Sequence, residues 1–485
     1  MNTQDLHDHA IPAVGADPKA ILEHISHLHE QDVAWKDGRA WSLIYYANEE
    51  HEQLLQQAHR LLFNSNFLNP FAFKSLQTLE HEVVAMTAKM LHGNEEVVGV
   101  VSSGGTESIL LAMFSYRQRA AKLYPSITRP EVVAPATIHP AFDKAATLFG
   151  LTLRKAPVDE NRRAIPGRME KLINKNSILL VASAPSYPNG VLDPIEEIAA
   201  LARQYQLPFH VDACVGGFML PWLEKLGHKI PKWDFRVHGV SSVSADVHKF
   251  GFGAKGASVL AYTGMDYLKH QFILTTDFPG GIYVSPTILG TRPGGPLAAA
   301  WAAMKHLGEN GYLQLAQQLM DGANKLRKGL ESIACIEVVG DPCMNIISYT
   351  TRNNRPDIFV VADQLENKGW MVDRQQFPEC IHLTVLPTNL PVIDEYLSDL
   401  KEAIAFAEAH PEATAKGNAA LYGLMARIPF RGMVEKNVVK ILEEMYSAGK
   451  FPTPEKEPEQ KSIAESNPAW MGRLSRFLSW LKRIK

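Results

Sequence analysis

Between residues 97 and 262 one pattern recurs: a short run rich in Val, Ile, Leu and Ala, then a stretch with the spacing of an amphipathic helix. The apolar runs are 97–101, 131–134, 151–154, 178–182, 208–211, 240–244 and 257–262; between two of them, 194–206 carries an apolar face of Ile195, Ile198, Ala199 and Leu201. Parallel strands cannot be joined by a tight turn, so each connection must travel back along the sheet, and a helix does this compactly. The alternation predicts an α/β fold in which a mostly parallel sheet is covered by helices on both faces. Ligands then bind beyond the carboxyl ends of the strands, and Ser103, His139, Asp212 and Lys249 all fall at such ends. Packing alone does not require four separate strand ends to carry such groups.

The run at 240–244 leads through Ser244, Asp246, His248 and Lys249 into glycines that turn the backbone toward a second lysine, Lys255. A lysine so placed is a candidate for Schiff-base chemistry, provided that neighbouring positive charge or partial desolvation depresses its pKa. Alone, a loop lysine is more often simply solvated. The run at 208–211 ends in Asp212 and then Ala213-Cys-Val-Gly-Gly217, an acid able to hold a protonated pyridine nitrogen or, equally, to cap a turn. The run at 97–101 enters Ser102-Ser-Gly-Gly-Thr106 and then a helical stretch with Ile109, Leu110, Met113 and Phe114. Free amides at Gly104 and Gly105, with the hydroxyls of Ser103 and Thr106, make a phosphate cradle. The Walker lysine spacing is missing, which argues against a nucleotide loop. Cradle, acid and lysine, in that order, is the order expected of a pyridoxal phosphate enzyme.

At this point the chain resembles the sphingosine-1-phosphate lyases, within the group II decarboxylase-like, fold-type I pyridoxal phosphate enzymes. The resemblance is carried by Ser103-Gly-Gly-Thr-Glu-Ser108, Ile138-His-Pro-Ala-Phe-Asp-Lys-Ala-Ala146, His210-Val-Asp-Ala213, Asp246-Val-His-Lys-Phe-Gly-Phe252 with Lys255, Gly280-Gly-Ile-Tyr-Val-Ser-Pro-Thr287, Gly290-Thr-Arg-Pro-Gly-Gly295 and Ala420-Leu-Tyr-Gly-Leu-Met425. It implies a large domain on a seven-stranded sheet, a smaller C-terminal α/β domain and pyridoxal 5'-phosphate joined to Lys249. Asp212 would meet the ring nitrogen and His139 would stack on the ring, although a helix-capping role for His139 stays open. Ser103, Gly104, Gly105, Thr106, Ser244 and His248 are the phosphate-side residues of one subunit, and Gly290 and Thr291 arrive from the partner in a homodimer, with Arg292 near them or capping a turn. Lys255 and Tyr45, with Tyr46 as its alternative, bind the substrate phosphate or assist the base step. Asn66 and Asn69 are further substrate contacts; the family carries histidine where this chain has Asn69, before Pro70, and asparagine cannot carry a proton's charge.

The implied reaction is retro-aldol cleavage of a phosphorylated long-chain base to a long-chain aldehyde and phosphoethanolamine. An amino-acid decarboxylase would share the cradle, Asp212 and the His248-Lys249 pair, but 280–295 and 420–425 favour the lyase. A non-catalytic scaffold is disfavoured by intact Asp212, Lys249 and phosphate loop. The loop 182–190, rich in proline, shapes the cofactor pocket, with Ser183 and Ser186 as weaker contacts.

With 46% hydrophobic residues in 485, the chain can bury more than one core. The expected division is an N-terminal arm at 1–55, a large domain at 56–310, a small domain at 311–446, a charged proline-rich linker at 447–469 and a basic amphipathic helix at 470–485. The small domain opens with a helix over 311–330 and holds strands at 336–339, 346–349 and 382–385; Arg374 and His382 stand there without an evident partner set. A net charge of -3 gives no reason to expect nucleic acid, and Cys214, Cys335, Cys343 and Cys380 show no zinc-like spacing and read as reduced core residues. His7, His9, His24, His27 and His29 invite a metal reading, but no ligand set closes around them, and a solvated helical arm is expected instead. No signal peptide or membrane span is evident, so a cytoplasmic enzyme is expected. In the last segment, Met471, Leu474, Phe477, Leu478 and Leu481 oppose Arg473, Arg476, Lys482, Arg483 and Lys485, which suits either peripheral contact with an anionic membrane or docking on the enzyme body.

Overall fold

Seven strands build the main sheet: β1 (Val98–Ser102), β2 (Glu131–Pro135), β3 (Thr152–Ala156), β4 (Ser177–Ser183), β5 (Phe209–Asp212), β6 (Ser242–Ala245) and β7 (Ser258–Tyr262), in the order β1-β7-β6-β5-β4-β2-β3. Each lies within two residues of an expected apolar run. β2, β4, β5, β6 and β7 are buried along their whole length, whereas β3, at the edge, exposes most of its residues. Continuous apolar runs are what a strand covered on both faces needs. β7 alone breaks the parallel pattern, pairing antiparallel with both β6 and β1. The reason is local: the loop from Asp246 to Ala257 has no helix to carry the chain back, so it returns as a hairpin. The carboxyl ends of β1, β2, β4, β5 and β6 still meet at one edge.

This computed structural model describes residues 11–413 apart from Pro70, with isolated positions between 436 and 446. The signature at 420–425, the linker at 447–469 and the basic helix at 470–485 lie outside the described residues.

A hairpin, β8 (Ile273–Thr275) with β9 (Tyr283–Ser285), precedes the helix Gly294–Glu331, which begins well before the expected helix at 311. Its first half is a small-residue run, buried from Ala298 to Ala300 and again at Ala302 and Ala303, that lacks the alternation marking an amphipathic helix. The helix breaks at Gly308 (φ 53°, ψ -172°), a backbone conformation glycine tolerates, just before the amphipathic stretch begins. Beyond it stands a second sheet of β10 (Ile336–Val338), β11 (Ile346–Thr351), β12 (Asp373–Gln376) and β13 (Glu379–Thr384), antiparallel throughout in the order β10-β11-β13-β12. β12 has no apolar run and is absent from the expected strands. Leu326 and Leu330 of the long helix pack into the core of this sheet, together with Ile347, Leu383 and Leu400. Each such side chain contributes about 1.5–3 kcal/mol by leaving water.

The N-terminal stretch divides in two. Pro18–His29 is a helix capped by Asp17 with no buried residue, a solvated arm as expected. Trp41, by contrast, is fully buried in the second core, its ring 4.7 Å from that of Tyr396, and its carbonyl accepts from the Thr384 N–H at 2.7 Å. Arg374 and His382 also depart from expectation, because both have partners. Arg374 is buried and paired with Asp363 at 3.0 Å and with Glu366; His382 Nδ1 lies 3.1 Å from the Pro188 carbonyl and Nε2 lies 3.2 Å from Thr384 Oγ1. These contacts join elements far apart in sequence. Among the described residues no helix is long and apolar enough to cross a membrane, and no group of three or more His, Cys, Asp or Glu is placed to hold a metal.

Candidate active site

β1 ends at Ser102, and the chain turns through Ser103 and Gly104 (φ 152°) into the helix Gly105–Leu123. The first amides of a helix have no acceptor in their own helix, so this turn offers donors to an anion. Here the Ser103 N–H is already taken, donating to Glu107 Oε2 at 2.7 Å. Glu107 is buried, and its other oxygen accepts from the amides of Ile288 at 2.9 Å and Leu289 at 3.3 Å. One carboxylate thus ties the phosphate loop to the segment before Gly290.

At the end of β5, Asp212 Oδ1 accepts from the Cys214 N–H at 3.1 Å and lies 3.4 Å from Ser244 Oγ. Behind them the buried His210 bonds Ser242 Oγ at 2.8 Å through Nδ1, and burial drives its pKa down to about 4, so it stays neutral. At the end of β6, Lys249 Nζ lies 3.0 Å from Asp246 Oδ2, and His248 Nε2 lies 3.7 Å from the same oxygen. His139 follows β2, where its Nδ1 accepts from the Ala141 N–H at 3.2 Å, and burial lowers its pKa. The proton of the neutral ring therefore sits on Nε2. The residue both caps its helix and lines the pocket.

A cavity of about 160 Å3 brings together Gly105, Thr106, His139, Asp212, His248 and Lys249. Gly104 and Ser244 stand behind this wall, Gly104 next to the His248 ring and Ser244 beneath Asp212. Ser103 faces a neighbouring cavity with Glu107 and Arg292. Ser183 lines the Lys249 pocket as well; Ser186 is buried but is not among the residues that line it. The pocket also holds groups absent from the expected set, Asp246, Cys214 and Tyr187. Asp246, two positions before His248 at a strand end, carried a readable signal; the other two did not.

The electrostatics reverse one expectation. Burial works against the charge of Lys249, but Asp246 outweighs it, and the pKa of Lys249 is raised rather than depressed. Burial likewise opposes the Asp246 charge and is overcome by Lys249 and His248, so that carboxyl is lowered. The depressed lysine is Lys255, held at about 8 by burial and then by the charge of Lys249. Its Nζ donates to the Leu43 carbonyl at 2.7 Å and stands 4.8 Å over the ring of Tyr45. Burial pushes the Tyr45 hydroxyl up to about 12, against a smaller opposing pull from Lys249. Tyr46 instead donates to Glu49 at 3.2 Å. Of the two tyrosines, Tyr45 is the one within electrostatic reach of Lys249.

Tyr45 and Lys255 line a separate cavity of about 400 Å3 together with Tyr46, His51 and Phe252, and Gly290, Thr291, Asn66 and Asn69 likewise lie outside the Lys249 pocket of a single chain. Thr291 lies with Asn66, whose Nδ2 donates to Thr291 Oγ1 at 3.4 Å, and Gly290 lies beside Tyr283 and Leu68. The side-chain oxygen of Asn69 is spent on its own turn, accepting from the amides of Phe71 at 3.0 Å and Ala72 at 3.2 Å. Arg292 pairs with Glu80 at 2.6 Å and lies 4.2 Å over the Phe67 ring, so it neither caps a turn by default nor reaches the pocket of its own chain.

The residues fit pyridoxal 5'-phosphate. A Cβ on Gly105 would stand 2.6 Å from Asp246 Oδ2 and 3.0 Å from Cys214 Sγ, so the cradle is built for bare backbone at the pocket floor. One pocket thus gathers the helix-start residues Gly105 and Thr106, the acid Asp212 and the amine of Lys249, the donor set that a phosphate, a ring nitrogen and an aldehyde require.

Residues 3–352 match the pyridoxal-dependent decarboxylase conserved domain. The sphingosine-1-phosphate lyase of Arabidopsis thaliana is 41% identical over 434 residues, covering 88% of this chain and 79% of that one. The chain belongs to the sphingosine-1-phosphate lyases. The lyase of Rattus norvegicus is 40% identical, with 90% of this chain and 77% of the other covered. The solved structure of the Burkholderia pseudomallei sphingosine-1-phosphate lyase superposes with a TM-score of 0.82 at 34% identity, over 91% of this chain and 97% of that one. A glutamate decarboxylase from Lactobacillus brevis, at 20% identity and a TM-score of 0.73 over 84% of this chain and 97% of that one, shares the fold. The lyase described here is therefore a fold-type I, pyridoxal phosphate-dependent enzyme; the decarboxylase alternative fits only at the level of the wider family.

Proposed function

We propose that this lyase takes a phosphorylated long-chain base such as sphingosine-1-phosphate and breaks its Cα–Cβ bond, leaving a long-chain aldehyde and phosphoethanolamine. The observation that carries the reading is one pocket holding Lys249, Asp212 and His139 beside the Gly105–Thr106 cradle, in a chain about two fifths identical to sphingosine-1-phosphate lyases. When bound, pyridoxal 5'-phosphate supplies an electron sink for the charge left on Cα as the bond breaks. Lys249 would hold the cofactor aldehyde, and once exchanged for the substrate amine, and protonated beside Asp246 by the proton that the substrate ammonium gives up, it could deliver that proton to Cα. Asp212 would keep a proton on the ring nitrogen, and His139 would lie flat against the ring. Gly105, Thr106 and His248 would take the cofactor phosphate, whereas Ser244, fully buried with its hydroxyl 3.4 Å from Asp212 Oδ1, would instead orient that acid. Lys255, titrating near 8, is suited either to hold the substrate phosphate as a cation or to accept the hydroxyl proton as a base, and Tyr45 supports its ammonium from below.

The position of Gly290 and Thr291 away from the Lys249 pocket of their own chain supports a homodimer in which each subunit completes the other's phosphate site. Asn66 travels with that segment, and Asn69 would reach the substrate only through its remaining amide. We assign 56–310 and 311–446 to a large and a small domain, place the enzyme in the cytoplasm, and give 470–485 a peripheral contact with anionic membrane. Liposome co-sedimentation of the chain with and without 461–485 tests the last point: unchanged binding by the truncated chain refutes it. For the reaction, the holoenzyme is incubated with sphingosine-1-phosphate and, separately, with a panel of amino acids. Long-chain aldehyde from the first supports the reading; carbon dioxide from an amino acid with no aldehyde overturns it.

A further inference from the structure

The carbonyl oxygen of Pro188 is met by side chains from three strands of the second sheet: Ser348 Oγ on β11 at 2.5 Å, Gln375 Nε2 on β12 at 2.9 Å and His382 Nδ1 on β13 at 3.1 Å. One residue earlier, the Tyr187 hydroxyl donates to Asp373 Oδ2 on β12 at 3.1 Å, and the Tyr187 ring lies 4.5 Å from the ring of His382. A carbonyl can only accept, so His382 carries its proton on Nδ1 and leaves Nε2 to accept from Thr384 Oγ1. The loop after β4 is thereby clasped by a sheet nearly two hundred residues further along the chain.

On its other side Tyr187 lines the Lys249 pocket, its ring 6.4 Å from that of His139 and nearly perpendicular to it. It also lines a second cavity of about 420 Å3, shared with Leu43, Asp373 and Gln375. Tyr187 is thus common to both cavities, while Asp373 and His382 do not line the Lys249 pocket. We propose that Asp373 and His382 are positioning residues that hold Tyr187 as the wall between the Lys249 pocket and this outer cavity, so that the second sheet shapes the active site without touching the reacting atoms. The inference rests on the reading of the Lys249 pocket as the lyase site. A hydrogen bond at one end of the ring and the His382 imidazole packed against it at a 37° tilt leave the phenol little freedom, and small displacements of a pocket wall cost rate steeply.

The test begins with nitration of the cofactor-free full chain by tetranitromethane, mapped by mass spectrometry. Tyr187 should react about tenfold faster in Asp373→Ala than in the unaltered chain, while Tyr116, Tyr262 and Tyr349, which are fully buried, stay unmodified in both. Asp373→Asn keeps an oxygen acceptor and should protect Tyr187 as the native residue does. His382→Ala, which removes the packed imidazole but not Asp373, should raise nitration independently and serves if Asp373→Ala does not fold. In the holoenzyme, Asp373→Ala should lower kcat/KM about tenfold, mainly through kcat, with Asp373→Asn within about twofold of the unaltered enzyme. Added to Tyr187→Phe, Asp373→Ala should cost nothing further. Unchanged nitration, an undiminished cost in the Tyr187→Phe background, or an Asn variant as impaired as the Ala variant overturns the proposal. Nitration does not depend on turnover, so a failure of the lyase reading would appear as missing aldehyde with the expected labelling intact.

Discussion

Lys249 Nζ stands 3.0 Å from Asp246 Oδ2, three residues back along the same turn, and the pair is the strongest charge relationship in the pocket. Asp246 raises the lysine above its ordinary value of 10.5, and the lysine lowers the acid below its ordinary 3.8. The acid's share of stability is present above 3.8 and is lost as pH falls through its lowered value; the lysine's is present below 10.5 and is lost as pH rises through its raised one. Asp246→Asn should destabilise the cofactor-free chain by about 3 kcal/mol, since a buried ammonium loses its counter-charge. Lys249 should also become more reactive toward acylation at neutral pH, read by mass spectrometry; unaltered Lys249 labelling would contradict this account.

Lys255 titrates in the opposite sense. Its folded pKa of about 8 lies below the ordinary 10.5, so between those values the unfolded chain binds more protons and stability rises with pH. Lys255→Met should remove that rise in a series of denaturation curves from pH 7 to 11. If the cation holds the substrate phosphate, KM should climb about tenfold per pH unit above 8 as charge is lost, and Lys255→Arg should flatten the climb.

Gly105→Ala probes the cradle. Its methyl group would stand 2.6 Å from a carboxylate oxygen of the fully buried Asp246, where neither the helix start nor the acid can withdraw. Overpacking of this kind costs about 1–3 kcal/mol. The variant should melt earlier and should lose its bound cofactor on gel filtration, followed by visible absorbance; a variant that stays yellow contradicts the cradle.

Glu107 accepts three amide hydrogen bonds, one from Ser103 and two from Ile288 and Leu289. Hydrogen bonds to a charged acceptor are worth about 1.5–3 kcal/mol each. Glu107→Gln keeps one oxygen and must give up one side of this tie, while Glu107→Ala gives up both. Cofactor affinity, measured by equilibrium dialysis, should fall in that order. Equal affinities would show that the tie is incidental.

The proposed dimer makes a complementation prediction. Lys249→Ala and Thr291→Trp should each be inactive as homodimers, yet their mixed dimer holds one site with both residues intact. Co-expression should restore up to about half the turnover per mixed dimer. Absence of any recovery places Thr291 outside the shared site.

Local chemistry sufficed for the seven strands of the main sheet, the glycine turn before Gly105 and the order of cradle, acid and lysine, because hydrophobic period and turn residues act over a few positions. Which groups meet across the fold is another matter. The antiparallel return of β7, the bond from Tyr187 to Asp373 across 186 positions and the tie from Glu107 to Ile288 across 181 arise only when distant elements pack. The same packing decided that Asp246 would hold Lys249 charged while burial loosened the proton of Lys255. A side chain's partners, and through them its pKa, are set by burial and by neighbours that periodicity does not encode.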